Sequence, residues 1–311
     1  MAGKTLKRTE IEAYGKINFS LDIKGIDSRR YHVLETIMQT IPVSDTVVVT
    51  SVLKGGTPPK NVVIPRKLPI TLTTDLRSLP SDEKNTAYRA AELMCKKFPP
   101  ILGTHEDIRI SIKKRIPVGG GLGGSSADCA AVIKAFNIHF ELGLDEAEMM
   151  ELGAALGSDV PFMIAGGTAL VTGTGEKVEK LPAPEGIALL ICTPGFGMDT
   201  WEVYRKYDQI EVGDDARPDT AALKDALISG DGNAFVSGLK NVLEVPAFLI
   251  KRDLGQLKTR LSKLGVRNVL MSGSGSSFVC IFAKESEART AAYELLNEGL
   301  ECIICGKFRQ N

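Results

Sequence analysis

The sequence predicts an α+β fold in two domains, and three observations lead to this class. The chain has 311 residues, which is enough for two separate hydrophobic cores. An alternating run at 107–114 precedes a glycine-rich loop and a helical pattern at 127–136, which gives the order strand, loop, helix. From residue 187 onward the order is β-α-β-β-α-β, which is typical of a ferredoxin-like domain. We therefore place one domain at residues 1–175 and a second at residues 176–311.

The individual elements follow from local patterns along the chain. A helix is expected at 81–98, with Ser81 as its N-cap and Pro99-Pro100 as its stop signal. A second helix begins at Asp145, and a loop is expected over 194–204. Gly230–Gly232 is the one candidate for a mobile linker. Further strands are predicted at 10–23, 46–53, 166–171, 187–192, 266–271, 278–282 and 302–307, and further helices at 220–227, 247–264 and 285–297.

Composition excludes several classes of protein. Lys+Arg and Asp+Glu are 38 each, so the formal net charge is zero, which argues against a broad surface for nucleic acid or for an anionic membrane. No apolar run reaches the roughly 18–20 residues of a membrane span, and the N-terminus has no signal-peptide pattern. The six cysteines lie mostly in apolar runs, and the single pair Cys302-x-x-Cys305 is weak evidence for zinc. We expect a cytoplasmic protein with small-molecule partners, either a monomer or a weak homodimer.

The most informative stretch is the glycine loop that begins at Pro117 and ends at Asp128. Five glycines in the six positions 119–124 leave the backbone bare, so its N–H groups can approach a ligand closely. The first turn of the following helix adds unpaired donors and the positive end of a dipole, a combination that suits phosphate. Ser125 and Ser126 add hydroxyls, either as helix caps or as ligands of a phosphate or its metal ion. The alternative is a tight turn with a capped helix.

Two familiar phosphate loops do not fit this stretch. It lacks the Gly-Lys-Ser/Thr ending of a Walker A loop, so no lysine of the loop itself reaches the phosphates. It also lies deep in the chain with no evident βαβ opening, unlike a dinucleotide-binding fingerprint. Charge for a phosphate must therefore come from other segments.

Three other places carry residues suited to chemistry. Lys16 and Asn18 share the polar face of a strand, although a solvated strand face is the simpler explanation. Tyr31 can stack on a planar ring and His32 can hydrogen-bond its edge, or both belong to an ordinary turn. Asp159, between a helix end and an apolar stretch, is poorly placed for solvation and is either functional or a cap.

Together these motifs resemble the GHMP kinase superfamily. Three of them match in order: Ala13-Tyr14-Gly15-Lys16-Ile17-Asn18, the glycine loop 117–128, and Ser272-Gly273-Ser274-Gly275. The resemblance covers nearly the whole chain and implies an N-terminal ribosomal-protein-S5-like β/α domain and a C-terminal ferredoxin-like domain. It also implies a kinase that uses ATP and Mg²⁺.

Within that superfamily the chain is most similar to a branch that acts on a cytidylyl substrate. The similarity lies in Tyr31-His32-x-Leu34, the long glycine loop, and the segments 157–162 and 173–176. It implies phosphorylation of the 2-hydroxyl of a cytidine-diphosphate-linked methylerythritol, in the non-mevalonate isoprenoid route. The alternatives are a homoserine-type or mevalonate-type kinase of the same superfamily, or a non-catalytic metabolite-binding protein with this fold.

The resemblance also implies roles for individual residues. Asp159 is then the catalytic base, and Lys16 is its partner at the reacting hydroxyl. The expected ATP-binding residues are Lys114, Pro117, Val118, Gly119, Gly120, Gly121, Leu122, Gly123, Gly124, Ser125, Ser126, Ala127 and Asn85. The expected substrate-binding residues are Asn18, Tyr31, His32, Thr200 and Tyr204. Mg²⁺ is expected to arrive with ATP, and its candidate protein ligands are Ser125 and Ser126.

The chain departs from the family pattern at two places that bear on the site. Ser125 replaces a glycine and Ala127 replaces a serine, so the hydroxyl that meets magnesium is not assigned. Arg29-Arg30 stands where the family usually has Asp-Gly. Because glycine tolerates a positive φ and other residues disfavour it, we expect Arg30 not to adopt one, and we expect the turn before Tyr31 to change.

Overall fold

The computed structural model describes residues 6–54 and 62–305 and has a mixed α+β architecture. Its strands are β1 (Leu6–Ile26), β2 (His32–Leu53), β3 (Ile70–Thr74), β4 (His105–Lys113), β5 (Thr168–Gly173), β6 (Lys177–Leu181), β7 (Ala188–Thr193), β8 (Asn268–Met271), β9 (Phe278–Phe282) and β10 (Glu301–Cys305). Its helices are α1 (Thr86–Lys97), α2 (Pro100–Thr104), α3 (Gly124–His139), α4 (Glu146–Ala154), α5 (Val160–Ala165), α6 (Thr200–Tyr207), α7 (Thr220–Ser229), α8 (Gly232–Ser237), α9 (Glu244–Ile250), α10 (Arg252–Leu261) and α11 (Glu285–Asn297). The end of the strand predicted at 302–307 lies outside the described residues.

The chain forms two compact units that do not follow its order. The first unit comprises residues 1–14, 44–116 and 124–165, and the second comprises residues 15–43, 117–123 and 166–311. The long strands β1 and β2 contribute residues to both units. The sequence predicted a single boundary at residue 175, whereas each unit here comprises several separate segments. The domain boundary at residue 175 stays a prediction.

The first unit is built on β4, which pairs with β3 in parallel and with residues 46–53 of β2 in antiparallel orientation. Ile108, Ile110 and Ile112 are buried and alternate with exposed residues, which confirms the predicted half-buried strand. Helices α1 and α3 pack on each other. The end of β4 and the start of α3 therefore belong to the same unit and flank the glycine loop.

The second unit contains the C-terminal sheet. Its four antiparallel strands stand in the order β10-β7-β9-β8, with α11 joining β9 to β10. Side chains of β7 and β9 such as Leu190, Phe278 and Phe282 are fully buried. This order is the ferredoxin-like order, so that prediction is confirmed. Elsewhere in the unit, β5 pairs with residues 34–39 of β2 and with β6.

Several local predictions are wrong, each for a physical reason. Helix α1 begins at Thr86 because Asn85, not Ser81, accepts the bond that caps it. The loop expected over 194–204 ends in helix α6, which Asp199 caps. The segment predicted as a linker holds the end of one helix and the start of the next, since Gly230 adopts the left-handed conformation that ends α7 and Asp231 caps α8, and its mobility stays a prediction.

Other differences concern element limits. Strand β6 was not predicted, because its sequence Lys-Val-Glu-Lys-Leu has no apolar alternation that fills a core. The helix expected at 247–264 is divided into α9 and α10. Within the residues that the structure describes, no helix is long and apolar enough to cross a membrane.

His139, the last residue of α3, is a buried polar side chain of the first unit. Its Nδ1 lies 2.9 Å from Thr9 Oγ1 and its Nε2 lies 2.8 Å from Ser51 Oγ. Burial, together with the positive charges of Lys7 and His105, lowers the pKa of His139 to about 4. The ring is therefore neutral in the folded protein at pH values where it is protonated in the unfolded chain.

We expect His139 to weaken the protein in acid. Between pH 6.5 and 4 the unfolded chain binds one proton more at this site, so the free energy of unfolding falls as pH falls, by up to about 3 kcal/mol. Urea unfolding at pH 5 and pH 7.5 measures the fall, which should be smaller in His139→Gln. Between pH 7 and 8 the free energy of unfolding should depend on pH in the same way in both proteins. An equally steep fall of the free energy of unfolding in acid in the variant would contradict this role.

Candidate active site

The glycine loop is held through its carbonyl oxygens. Four successive carbonyls accept hydrogen bonds from distant parts of the second unit: Met198 N–H donates to Gly119 O (3.3 Å), Ser277 N–H to Gly120 O (3.1 Å), Ser272 Oγ to Gly121 O (3.1 Å) and Lys16 N–H to Leu122 O (2.9 Å). Three separate segments of chain thus fix the orientation of four consecutive peptide planes.

This arrangement decides where the loop amides point. In a trans peptide the N–H group points opposite to the carbonyl of the same peptide plane. The N–H groups of residues 120–123 therefore point away from the donors that hold the carbonyls. Main-chain N–H groups whose orientation is fixed in this way are suited to bind phosphate oxygens.

The close approach requires glycine at residue 121. Its φ is +76°, and a Cβ there would lie 2.2 Å from the carbonyl oxygen of Ser272. A side chain would therefore meet rigid backbone and would also need a left-handed conformation. Gly121 lets the third motif, Ser272–Gly275, pack directly on the loop.

Lys16 and Asn18 lie together on β1 and are almost completely buried, with 4% and 1% of their surface exposed. Lys16 Nζ donates to Asn18 Oδ1 at 2.7 Å, and Asn18 Nδ2 donates to Thr36 Oγ1 at 2.8 Å. The main-chain N–H of Asn18 donates to Ser272 Oγ at 3.3 Å. The amide of Asn18 therefore orients the Lys16 ammonium, and the face carrying these residues is not a solvated strand face.

The side chain of Asn241 fixes the backbone of the third motif. Asn241 Nδ2 donates to the carbonyl oxygens of Met271 (2.8 Å) and Gly273 (2.7 Å), while its Oδ1 accepts from Leu243 N–H. A Cβ on Gly273 would lie 3.5 Å from Lys16 Nζ. Residues 15–18 of the first motif, residues 119–122 of the loop and the third motif thus form one connected structure in the second unit.

In the first unit, Lys114 is buried between two carboxylates, Asp45 and Asp128, and lies 2.6 Å from Asp128 Oδ2. Burial lowers the pKa of Lys114, but the nearby carboxylates outweigh it and the net shift is upward. Burial raises the pKa of Asp128 to about 7, although Lys114 acts in the opposite direction. Lys114 therefore keeps its positive charge next to the start of α3.

The start of α3 carries the other expected phosphate contacts. Ser125 and Ser126 are its second and third residues, and the carbonyl of Ser125 accepts a bond from Thr86 Oγ1 at 2.8 Å. Asn85 caps α1 by accepting from Ala87 N–H, and its Nδ2 donates to Pro80 O at 2.8 Å. Asn85 thus has a structural role, and its expected contact with nucleotide stays a prediction.

Asp159 lies in the first unit, directly before the short helix α5. Its carbonyl accepts from Met163 N–H at 3.0 Å, so the residue stands where that helix begins. Its side chain is half-buried. Lys16 belongs to the second unit, so the expected meeting of the two side chains at one hydroxyl stays a prediction.

The residues expected to bind a planar ring come together in the second unit. The rings of His32 and Tyr204 have centroids 4.9 Å apart, and His32 and Tyr207 have centroids 6.3 Å apart. His32 Nε2 lies 2.8 Å from Asp208 Oδ1. Tyr31, the neighbouring residue, is 62% exposed, and the guanidinium carbon of Arg29 lies over its ring, 5.5 Å from the centroid. Thr200 lies on the same helix as Tyr204, with its Oγ1 2.8 Å from Ser274 Oγ in the third motif.

The turn before Tyr31 corrects one expectation. Arg30 has a φ of +67°, which is the left-handed conformation that we expected an arginine not to adopt. Asp27 explains it, since its Oδ1 accepts from the N–H groups of both Arg29 and Tyr31 at 2.9 Å. These bonds stabilise the turn even though a side chain stands at the left-handed position.

We expect Arg30→Gly to stabilise the protein. Left-handed backbone costs a residue with a Cβ about 1–2 kcal/mol, and the extra freedom of glycine in the unfolded chain offsets part of this, so a net gain of about 0.5–1 kcal/mol is expected. Arg30→Ala is the matched control, because it removes the same charge but keeps the Cβ. Urea unfolding compares the three proteins, and equal stabilisation by both variants would point to charge and contradict backbone strain.

Sequence reasoning missed several residues that support the site. Thr36, Asp45, Tyr207 and Asp208 lie at no recognisable motif, and each acts through a contact with a residue far away in the chain. A buried carboxylate in a strand is an unusual feature, and Asp45 amid the apolar and β-branched residues of β2 was the one available signal.

Comparisons with known proteins agree with this geometry. The chain matches the GHMP kinases N terminal domain over residues 85–167 and the GHMP kinases C terminal domain over residues 223–301. It is 36% identical over 299 residues to 4-diphosphocytidyl-2-C-methyl-D-erythritol kinase of Acetivibrio thermocellus, covering 96% of this chain and 99% of that protein. The same-named kinase of Syntrophomonas wolfei is 36% identical over 298 residues, covering 96% and 98%.

Solved structures give the same result. A crystal structure of 4-(cytidine 5'-diphospho)-2C-methyl-D-erythritol kinase superposes with a TM-score of 0.73 at 30% identity, covering 96% of this chain and all of that one. Homoserine kinase from Cytophaga hutchinsonii superposes with a TM-score of 0.71 at 16% identity, covering 100% and 97%, and shares the fold alone. The predicted fold class and family resemblance are confirmed: the chain belongs to the GHMP kinase superfamily and, within it, to the family of 4-diphosphocytidyl-2-C-methyl-D-erythritol kinases.

Proposed function

We propose that this chain transfers the γ-phosphoryl group of ATP to the 2-hydroxyl of 4-diphosphocytidyl-2-C-methyl-D-erythritol, a step towards isoprenoid precursors. Membership in the family supports the reaction, since relatives of this name match nearly the whole chain. The observation that carries the proposal is the glycine loop, whose four hydrogen-bonded carbonyls fix the orientation of its amides. Pro117 to Ala127 then hold the triphosphate, with Lys114 adjacent to the helix start.

Lys16 and Asp159 carry the proton chemistry in this proposal. A carboxylate is a weak base towards an alcohol, so Asp159 accepts the hydroxyl proton late, as the new P–O bond forms. The ammonium of Lys16, oriented by Asn18, stabilises the developing negative charge on the attacking oxygen. Positioning of the hydroxyl in line with the phosphoryl group supplies much of the remaining rate.

Magnesium fits this site as a companion of ATP. In the ranges 6–54 and 62–305, no three or more His, Cys, Asp or Glu side chains are grouped to hold a metal ion. Mg²⁺ in kinases is held largely by phosphate oxygens and water and needs only one or two protein oxygens. The hydroxyls of Ser125 and Ser126, in the first turn of α3, are suitable ligands. When bound, the ion neutralises phosphate charge.

The cytosine ring is proposed to lie between Tyr31 and Tyr204, with His32 at its edge. A carboxylate accepts hydrogen bonds, so the contact between Asp208 Oδ1 and His32 Nε2 orients the His32 ring and leaves its Nδ1 for the edge of the base. Thr200 is the proposed polar contact next to this pocket.

A substrate panel tests the proposed function. The purified chain is given ATP, Mg²⁺ and one of three alcohols, namely the cytidylyl compound, homoserine or mevalonate, and ADP release is followed. We expect kcat/KM for the cytidylyl compound to exceed the others by at least about 10³-fold, because the polar groups of the pocket would otherwise stay unpaired. Phosphorylation of homoserine or mevalonate instead would assign another kinase activity. Tight binding without ADP release would indicate a metabolite-binding protein.

We expect Asp159→Asn to lower kcat by at least about a hundredfold, because an amide cannot take the hydroxyl proton. Affinity for a non-hydrolysable ATP analogue, measured by calorimetry, should remain nearly unchanged. Asp145→Asn is the matched control, since it makes the same chemical change in the same unit at the N-cap of α4, where asparagine also caps. Near-normal kcat in Asp159→Asn would remove this residue from the role of base.

Three further expectations accompany the proposal. We propose a cytoplasmic protein that binds neither nucleic acid nor membrane, as the balanced charge of the sequence favours. A monomer or weak homodimer is the expected state in solution. Domain boundaries at 1–175 and 176–311 are proposed from the order of elements along the sequence.

A further inference from the structure

Asp45 is a buried acid that the proposed reaction does not use. It lies in β2 and is completely shielded from solvent, with 0% of its surface exposed. Its Oδ1 accepts from the main-chain N–H groups of Arg115 and Ile116, the latter at 2.8 Å, and its Oδ2 accepts from Lys114 Nζ. All three donors come from successive residues that end immediately before the glycine loop.

Lys114 extends this contact to the other end of the loop. Its ammonium also donates to Asp128 Oδ2 at 2.6 Å, on the second turn of α3. A Cβ placed on Gly124 would lie 3.4 Å from Lys114 Nζ and 3.3 Å from Ile116 Cγ2. The residues that enter and leave the loop therefore pack against each other, and the Asp45 contacts join them.

Stability alone does not account for such a cluster. Two buried carboxylates share one ammonium, and Asp128 Oδ1 has no hydrogen-bond partner among the described residues. Burying charges costs desolvation energy that the attraction between them often fails to repay, and apolar residues of similar volume commonly serve as well or better. What the cluster does provide is fixed geometry, because the lysine must extend in one direction to reach both acids.

We propose that Asp45 is a positioning residue for the nucleotide. It fixes the segment between β4 and the loop through two main-chain amides, and the start of α3 through Lys114, so the two ends of the loop and the Lys114 ammonium are arranged for a triphosphate before it binds. The proposal rests on the ATP-dependent function proposed above. An arrangement made in advance improves affinity because binding then orders fewer groups.

Asp45→Asn tests this role with little change in volume. Asparagine keeps an acceptor for the two amides, but its Nδ2 donors face the Lys114 ammonium and displace it. We expect the KM for ATP and the Kd for a non-hydrolysable ATP analogue to rise about tenfold or more. The KM for the cytidylyl substrate should stay within about twofold, and kcat at saturation should fall less than about threefold.

Asp145→Ala is the control for a general loss of stability in the same unit. It removes the cap of α4 and costs about 1 kcal/mol, far from the loop in sequence. We expect its KM for ATP to match the original protein. A rise like that of Asp45→Asn would show that destabilisation alone weakens ATP binding and would overturn the proposal.

Asp128→Asn weakens the other contact of Lys114, the one with α3. Because both acids act through Lys114, the losses in analogue affinity from Asp45→Asn and Asp128→Asn should not add in the double variant. Additive losses would contradict the shared mechanism. Should Asp45→Asn not fold, Asp128→Asn alone decides, since it leaves the two amide bonds of Asp45 intact. Unchanged analogue affinity in that variant would overturn the proposal.

Analogue binding separates this proposal from the function itself. If the unaltered chain binds the analogue but phosphorylates no alcohol, the proposed function fails while the role of Asp45 remains measurable. If the unaltered chain is an active kinase and Asp45→Asn binds the analogue equally well, the function stands and the positioning role is wrong.

Discussion

The candidate site depends on the hydrogen bonds that distant donors make to the carbonyl oxygens of the glycine loop, because these bonds fix the loop backbone. Donors from residues 16, 198, 272 and 277 meet four successive carbonyls, and no Cβ at residue 121 could be accommodated there. A binding surface made of amides needs rigid peptide planes, because freely rotating planes would lose the alignment of their dipoles. Residues of the three motifs are therefore hydrogen-bonded to one another, although more than 250 positions separate the first motif from the last.

Two polar residues expected at the ligand also orient other groups of the protein. The side-chain amide of Asn18 accepts a hydrogen bond from Lys16 and donates one to Thr36. The side-chain amide of Asn85 accepts one from the first turn of α1 and donates one to Pro80. Such residues are as necessary as those that touch a ligand, since a lysine ammonium that moves by 1 Å loses much of its effect. A sequence motif marks both kinds of residue alike, and only the contacts distinguish them.

What the sequence could predict follows from how local each cause is. Alternation in β4, the glycine loop and the β-α-β-β-α-β order depend on neighbouring residues, and all three could be recognised in the sequence. The start of α1 was misplaced because Ser81 and Asn85 are both acceptable caps, and tertiary packing decides between them. The positive φ of Arg30 was missed because the carboxylate of Asp27 overrides the usual preference. The partners of Asp45 and Asp208 could not be predicted, because each contacts a residue distant in the sequence, and the position of Asp45 within β2 was the one signal that the sequence offered.

The electrostatics of the loop explain how a chain of zero net charge can hold a triphosphate. Lys114 is the cation next to the start of α3, but two carboxylates share it, so the cluster of three carries no net positive charge. Attraction for phosphate must then come from the oriented amides, from the helix dipole and from the ion that accompanies ATP. Within such a set, the location of the ammonium matters more than the sum of charges, because at short range one well-placed donor outweighs a distant excess. A neutral surface and a strong local anion site are therefore compatible, and the buried acids that hold Lys114 in place are part of how the site works.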